Sequence, residues 1–188
     1  MKKTEMAIFA SGNGSNCENI ISYFKDVSNV NIALVITNRP DAYVLTRAAH
    51  YGVPSTVIDK KQLNDPNFII PLLKKYRVNF IVLAGFLAMI PEFLTKRYDH
   101  RMVNIHPSLL PLYGGKGMYG HHVHEAVKAA GDKETGITIH YVNSRYDEGD
   151  IIAQFSVPLS PDDTIDDIRM KVHFLELKHF PEVIKAIL

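Results

Sequence analysis

Five short apolar runs, spaced by segments of helical periodicity, limit this chain to one kind of architecture. The runs are Met6 to Ala10, Ile32 to Thr37, Pro54 to Ile58, Phe80 to Ala84 and Met102 to Ile105. Between them, Ile20, Ile21 and Phe24 fall at helical spacing, Ala42 to Tyr51 reads as a helix closed by Gly52, Leu72, Leu73 and Tyr76 belong to another, and Pro91 to Tyr98 is a short helix started by its proline. Apolar strands alternating with helices predict a parallel sheet covered on both faces. Such a sheet takes ligands beyond the carboxyl ends of its strands. The segments 11–16, 84–90 and 104–108 all follow strands, so they are expected to share one edge.

The second half changes character. Leu112 to Gly120 is a glycine-rich loop, and His121 to Ala130 is helical. Thr135 to Val142 alternates, and Ile151 to Val157 is a further strand; the two are expected to pair as a hairpin. A last helix starts near Thr164 and uses Ile165, Ile168, Val172 and Leu175, with Pro181 expected to interrupt or restart it. The fold class expected is therefore α/β: a doubly wound, mostly parallel central sheet, Rossmann-like, with an antiparallel portion in the C-terminal half. No repeat or linker divides the 188 residues, which suits a single domain over 1–188.

Composition narrows the setting. A formal net charge of +1 gives no general pull toward nucleic acid or membrane. The single cysteine, Cys17, excludes an internal disulfide and a multi-cysteine zinc site. Met1-Lys2-Lys3 is basic, but the apolar run after it is too short for a signal peptide, and no stretch approaches the roughly 20 apolar residues of a membrane span. The expectation is a cytoplasmic protein.

Several residues could carry chemistry. Gly12-Asn13-Gly14-Ser15-Asn16 joins a strand to a helix, and Ser15 and Glu18 have capping-box spacing. Cys17 stands where a dinucleotide fingerprint wants glycine, and no P-loop Lys-Ser or Lys-Thr follows. The turn can hold one phosphate on the N–H groups of the helix start; a plain capped turn reads the same way. Asn104 and His106 lie two apart, on one side of an ideal strand that Pro107 ends. An amide and an imidazole together can stabilise an oxyanion and move a proton, and a satisfied core pair is the alternative. Asp147, in an acidic loop, could orient His106 or simply be solvated. His121, His122 and His124 lack a metal-ligand pattern, so no metal is expected. Cys17 reads as a packing residue, Ser108 lacks the glycines of a nucleophile elbow, and Glu176 is a helix glutamate beside the last apolar stripe.

Taken together, the 11–16 turn, Leu83-Ala84-Gly85-Phe86, the run Asn104-Ile105-His106-Pro107-Ser108-Leu109-Leu110-Pro111, and His140 with Asp147 seven positions on resemble the phosphoribosylglycinamide formyltransferase family. These are folate-dependent enzymes of purine biosynthesis. The resemblance runs from about residue 6 to the C-terminus. It implies formyl transfer from 10-formyltetrahydrofolate, a co-substrate, to the amine of glycinamide ribonucleotide. It implies Asn104, His106 and Asp147 as catalytic residues. It puts the substrate on Gly12, Asn13, Gly14, Ser15, Asn16, Pro107 and Glu176. It puts the folate on Leu87, Ala88, Met89, Ile90, Asn104, His140, Val142 and Asp147. Residues 1–100 would then bind the substrate phosphate, and 101–188 would carry catalysis and the folate. No nucleic acid or membrane partner is implied, and a monomer or weak homodimer is expected.

The chain departs from the family at Ala88, where several members carry arginine, and in the long 112–120 loop, where Lys116 could meet a phosphate. Lys60 and Lys61 match a further basic position too loosely to assign. Two other readings stay open: another enzyme of the same folate, such as a deformylase, and a non-catalytic phosphate-binding module. Whether Asp147 lies near His106 separates the module from the enzymes.

Overall fold

The computed structural model describes residues 3–188; Met1 and Lys2 of the basic start lie outside the described residues. The chain forms two compact units, the first ending at Asn104 and the second running from Ile105 to Leu188.

In the first unit, β1 (Thr4–Phe9), β2 (Val30–Thr37), β3 (Ser55–Val57) and β4 (Phe80–Leu83) are parallel, and β5 (Met102–His106) pairs with β4 through Leu83 and Asn104. Met6, Ala7, Ile8 and Phe9 are all fully buried, which requires cover on both faces of β1. The cover comes from amphipathic helices. α1 (Ser15–Phe24) buries Cys17, Ile20, Ile21 and Phe24, a single stripe at i, i+3, i+4 and i+7. α2 (Val44–His50), α4 (Pro66–Lys75) and α5 (Glu92–Arg97) follow β2, β3 and β4.

Three local expectations change here. The Ser15/Glu18 capping box does not form: Gly14 occupies the N-cap without a side-chain bond, and Arg47 takes the Glu18 carboxylate. A short helix, α3 (Lys60–Asn64), precedes α4 and was not anticipated. Its signal is Asp59 three residues before Gln62, where each side chain bonds the other's backbone N–H, at 2.7 and 2.9 Å. β5 runs one residue further than expected, to His106, and stops where Pro107 has no N–H to donate.

The second unit holds α6 (His121–Ala130), β6 (Glu134–Tyr141), β7 (Ile151–Pro158) and α7 (Ile165–Ile187). β6 and β7 pair antiparallel, with a bulge that sets Ile139 opposite Ala153 but His140 opposite Ile151. β6 is buried on both faces from Thr135 to His140, so its alternation does not mark an exposed side. Thr138 is satisfied there by donating to the Ser108 carbonyl at 2.7 Å and accepting from Leu110 N–H at 2.9 Å. α7 opens on a capping box between Thr164 and Asp167 and, against expectation, runs unbroken through Pro181. An internal proline costs about 3 kcal/mol, and burial of Phe180, Pro181 and Ile184 on one side of the helix offsets it. The parallel order β3-β2-β1-β4-β5 and the antiparallel pair β6-β7 make this an α/β fold, Rossmann-like and mostly parallel, with its antiparallel portion in the C-terminal half. Among the described residues no helix is long and apolar enough to cross a membrane.

Candidate active site

In the first unit, β1 and β4 deliver two loops to one place. Ser11 N–H donates to the Gly85 carbonyl at 2.9 Å, and Ser11 Oγ donates to Asn38 Oδ1 at 2.6 Å while accepting Leu87 N–H at 2.9 Å. Gly14 sits in the left-handed region at φ 77°, and a Cβ there would lie 2.5 Å from Val44 Cγ2 and 2.8 Å from its Cα, so only glycine fits. The turn thus presents the first N–H groups of α1, which have no intrahelical acceptor. Leu87 and Met89 are exposed, Ala88 is half-buried and Ile90 is buried. Phe86 packs edge-on against Phe9 and anchors that loop. Asn104 is half-buried at the end of the unit. Cys17 is fully buried, and burial pushes its thiol up to about 12, which keeps it protonated and unreactive.

In the second unit, one carboxylate meets two imidazoles. Asp147 Oδ1 lies 3.5 Å from His106 Nδ1 and 3.8 Å from His140 Nε2, and its Oδ2 accepts Gly115 N–H at 2.9 Å. All three side chains are largely shielded from solvent, at 5, 3 and 13% exposure for His106, His140 and Asp147. Asp147 adopts φ 55°, a conformation that aspartate tolerates better than most residues. Its loop is pinned nearby: a Cβ on Gly149 would lie 1.7 Å from the Tyr141 carbonyl oxygen, so the two chain segments touch backbone to backbone. Asn143 closes the loop from within, accepting Arg145 N–H at 2.8 Å and donating to the Glu148 carbonyl at 3.1 Å.

The acceptors fix the proton positions. His106 Nε2 lies 2.7 Å from the Tyr113 carbonyl, which can only accept, so Nε2 carries a hydrogen. Its Nδ1 faces the Asp147 carboxylate, another acceptor. A neutral ring has one N–H; the imidazolium satisfies both sides. His140 donates from Nδ1 to the Tyr141 carbonyl at 2.8 Å, which leaves Nε2 facing Asp147. Burial, opposed by the Tyr141 carbonyl and Asp147, lowers the His140 pKa. The arrangement sets one carboxylate between two buried imidazoles, and burial disfavours charge on the second, His140.

Other anticipated residues are placed as follows. Ser108 is buried and spends its hydroxyl on the Leu112 carbonyl at 2.6 Å, a tie within the turn. Pro107 and Val142 are half-buried. Glu176 on α7 pairs with His173 at 3.1 Å and lies in electrostatic reach of buried His124. His121 and His122 point outward and pair with Glu125, at 3.2 and 3.3 Å. Lys116 is exposed. Tyr113, which supplies a carbonyl to His106, was not anticipated; nor was its hydroxyl bond to Asp132 Oδ2 at 2.7 Å, which pushes the phenol up to about 12. A contact made by a backbone oxygen leaves no residue-type signal in a sequence.

An α/β sheet with polar loops at its strand ends and a carboxylate–imidazole pair has the parts an acid–base enzyme uses. A family profile described as "Formyl transferase" matches residues 4–184. The phosphoribosylglycinamide formyltransferase of Bacillus subtilis is 38% identical over 193 residues, covering 100% of this chain and 95% of that protein. The chloroplastic enzyme of the same name from Arabidopsis thaliana is 38% identical over 99% of this chain. The chain spans 66% of the Arabidopsis protein and 62% of its Vigna unguiculata counterpart. Among solved structures, phosphoribosylglycinamide formyltransferase from Bacillus halodurans aligns with a TM-score of 0.88 at 35% identity, covering 98% of this chain and 95% of that one. Glycinamide ribonucleotide transformylase 1 from Geobacillus kaustophilus aligns with a TM-score of 0.89 at 34% identity, covering 99% of each chain. The chain belongs to the formyl transferase family of enzymes, within its phosphoribosylglycinamide formyltransferase group.

Proposed function

We propose that this chain transfers the formyl group of 10-formyltetrahydrofolate to the primary amine of glycinamide ribonucleotide, giving formylglycinamide ribonucleotide and tetrahydrofolate in de novo purine biosynthesis. Membership of the group supports the reaction. The observation that carries the mechanism is the contact of Asp147 with His106, 3.5 Å apart and shielded from solvent.

The amine nitrogen bonds to the formyl carbon, and the formyl oxygen becomes an oxyanion. Asn104 donates its amide N–H to that oxygen, and imidazolium His106 turns its Nε2–H to it from the Tyr113 carbonyl that holds it in the free chain. Asp147 holds His106 charged and receives, through water, the proton that the amine gives up. The bond from carbon to N10 of the folate then breaks, and N10 takes a proton delivered through His106. The substrate phosphate rests on Gly12, Asn13, Gly14, Ser15 and Asn16, at the positive end of α1. Pro107 and Glu176 meet the glycinamide end. The folate lies along Leu87, Ala88, Met89 and Ile90, with Asn104, His140, Val142 and Asp147 as its polar neighbours. The transfer as written uses neither a metal nor a covalent nucleophile. In this reading the whole chain is one functional domain, acting in the cytoplasm as a monomer or weak homodimer on small molecules alone.

The test is formation of tetrahydrofolate by the purified protein. It should require glycinamide ribonucleotide. Release of formate with water alone would make it a deformylase, and no turnover with any amine would overturn the enzyme reading.

A further inference from the structure

Arg47 has a role that formyl transfer as written does not use. It lies on α2, and its guanidinium is directed at the glycine-rich turn and the first turn of α1. Nε donates to the Asn13 carbonyl at 2.9 Å, Nη2 to Asn13 Oδ1 at 2.8 Å, and Nη1 to the Glu18 carboxylate. Its plane is buttressed by the Tyr43 ring, with Cζ 5.0 Å from the centroid. The same helix holds the turn twice more: Val44 N–H donates to the Gly12 carbonyl at 3.2 Å, and Val44 fills the space a side chain on Gly14 would need. So α2 engages the turn's acceptors at Gly12 and Asn13. What the turn presents elsewhere is donor character, from the start of α1.

Charge gives the second reason. Glu18 is in the first turn of α1, the place where an arriving anion would gather N–H groups. An unopposed carboxylate there would repel a phosphate and compete for the helix dipole. Arg47 cancels it in a rigid, forked contact that a lysine ammonium could not share with Asn13.

We infer that Arg47 is a positioning residue for the phosphate-bearing substrate, holding the 11–16 turn in its anion-accepting shape and neutralising Glu18 beside it. This rests on the reading that the turn takes the substrate phosphate. The guanidinium does not touch the phosphate; it acts through Asn13 and Glu18.

The test compares Arg47→Lys and Glu18→Gln with the unaltered chain. It uses the phosphorylated amine, its dephosphorylated nucleoside, and inorganic phosphate as a competitive inhibitor. Arg47→Lys should raise KM for the phosphorylated amine and Ki for phosphate by the same factor, about tenfold. It should leave kcat/KM for the nucleoside and KM for the formyl folate unchanged. Equal losses on both amines would show a merely structural residue and overturn the inference, as would an unchanged Ki. Glu18→Gln keeps both bonds to Asn13 and should lower Ki for phosphate about threefold; a constant that stays or rises overturns the neutralising role. If the unaltered chain uses both amines equally and phosphate does not inhibit, the phosphate reading itself has failed, and this inference falls with it.

Discussion

Replacing Asp147 by asparagine removes one charge and little else. Asparagine tolerates the left-handed backbone at φ 55°, and its amide oxygen can still accept Gly115 N–H. What is lost is the attraction between a carboxylate and an imidazolium 3.5 Å apart. At an effective dielectric constant of about 20 that attraction is about 5 kcal/mol. The Asp147 side chain is only 13% exposed, so salt screens little of it. The amide dipole recovers part, and His140 remains as a neighbour. A loss of at least about 2.7 kcal/mol in the transition state, a kcat lower by at least about 10²-fold, is expected. The assay is tetrahydrofolate formation at saturating concentrations of both substrates, with thermal melting as the control for folding. A variant that melts like the original and turns over within about threefold of it would refute the proton-transfer role given to this carboxylate.

Two further outcomes follow from buried groups. Burial lowers the pKa of both His124 and His140, so the unfolded chain binds more protons than the native one near and below the ordinary histidine value of about 6.5. Their contribution to stability is therefore complete above that value and is lost as pH falls toward the depressed native values; Tm measured down from neutral pH should drop there, and His124→Gln should flatten the slope. Cys17, with its thiol pushed up to about 12 by burial, should resist a thiol-specific reagent in the native protein and react once denatured, while Cys17→Ala keeps kcat; rapid native labelling would contradict the buried placement.

Much of the site is legible in the amino-acid sequence because it is made of side chains at strand ends. Asn104 and His106 announce themselves by polarity in an apolar strand and by the proline that stops it. Gly14 is legible for the same reason, since a tight strand-to-helix turn calls for glycine. Asp147 is legible as a candidate only, because the 40 or so residues between it and His106 carry no statement of where the chain returns. Tyr113 lies beyond sequence reasoning, for its part is played by a carbonyl. Glu18 misleads: three-residue spacing from Ser15 fits a capping box, but a forked arginine from another helix outcompetes a neighbouring backbone N–H. Pro181 misleads because local propensity is set against burial there, and burial prevails.

The backbone contact at Gly149 reaches beyond local packing. Closing a slightly longer loop costs little free energy, so a residue inserted between Asn143 and Asp147 would leave the hairpin folded. It would nonetheless move the carboxylate by up to about 3.4 Å, one residue's rise along a strand, as far as its present distance from His106. Loop length at this point is thus held by chemistry and not by stability. Over evolutionary time, copies released from selection for the reaction can drift here in length, persisting as well-folded proteins that have lost their acid–base pair.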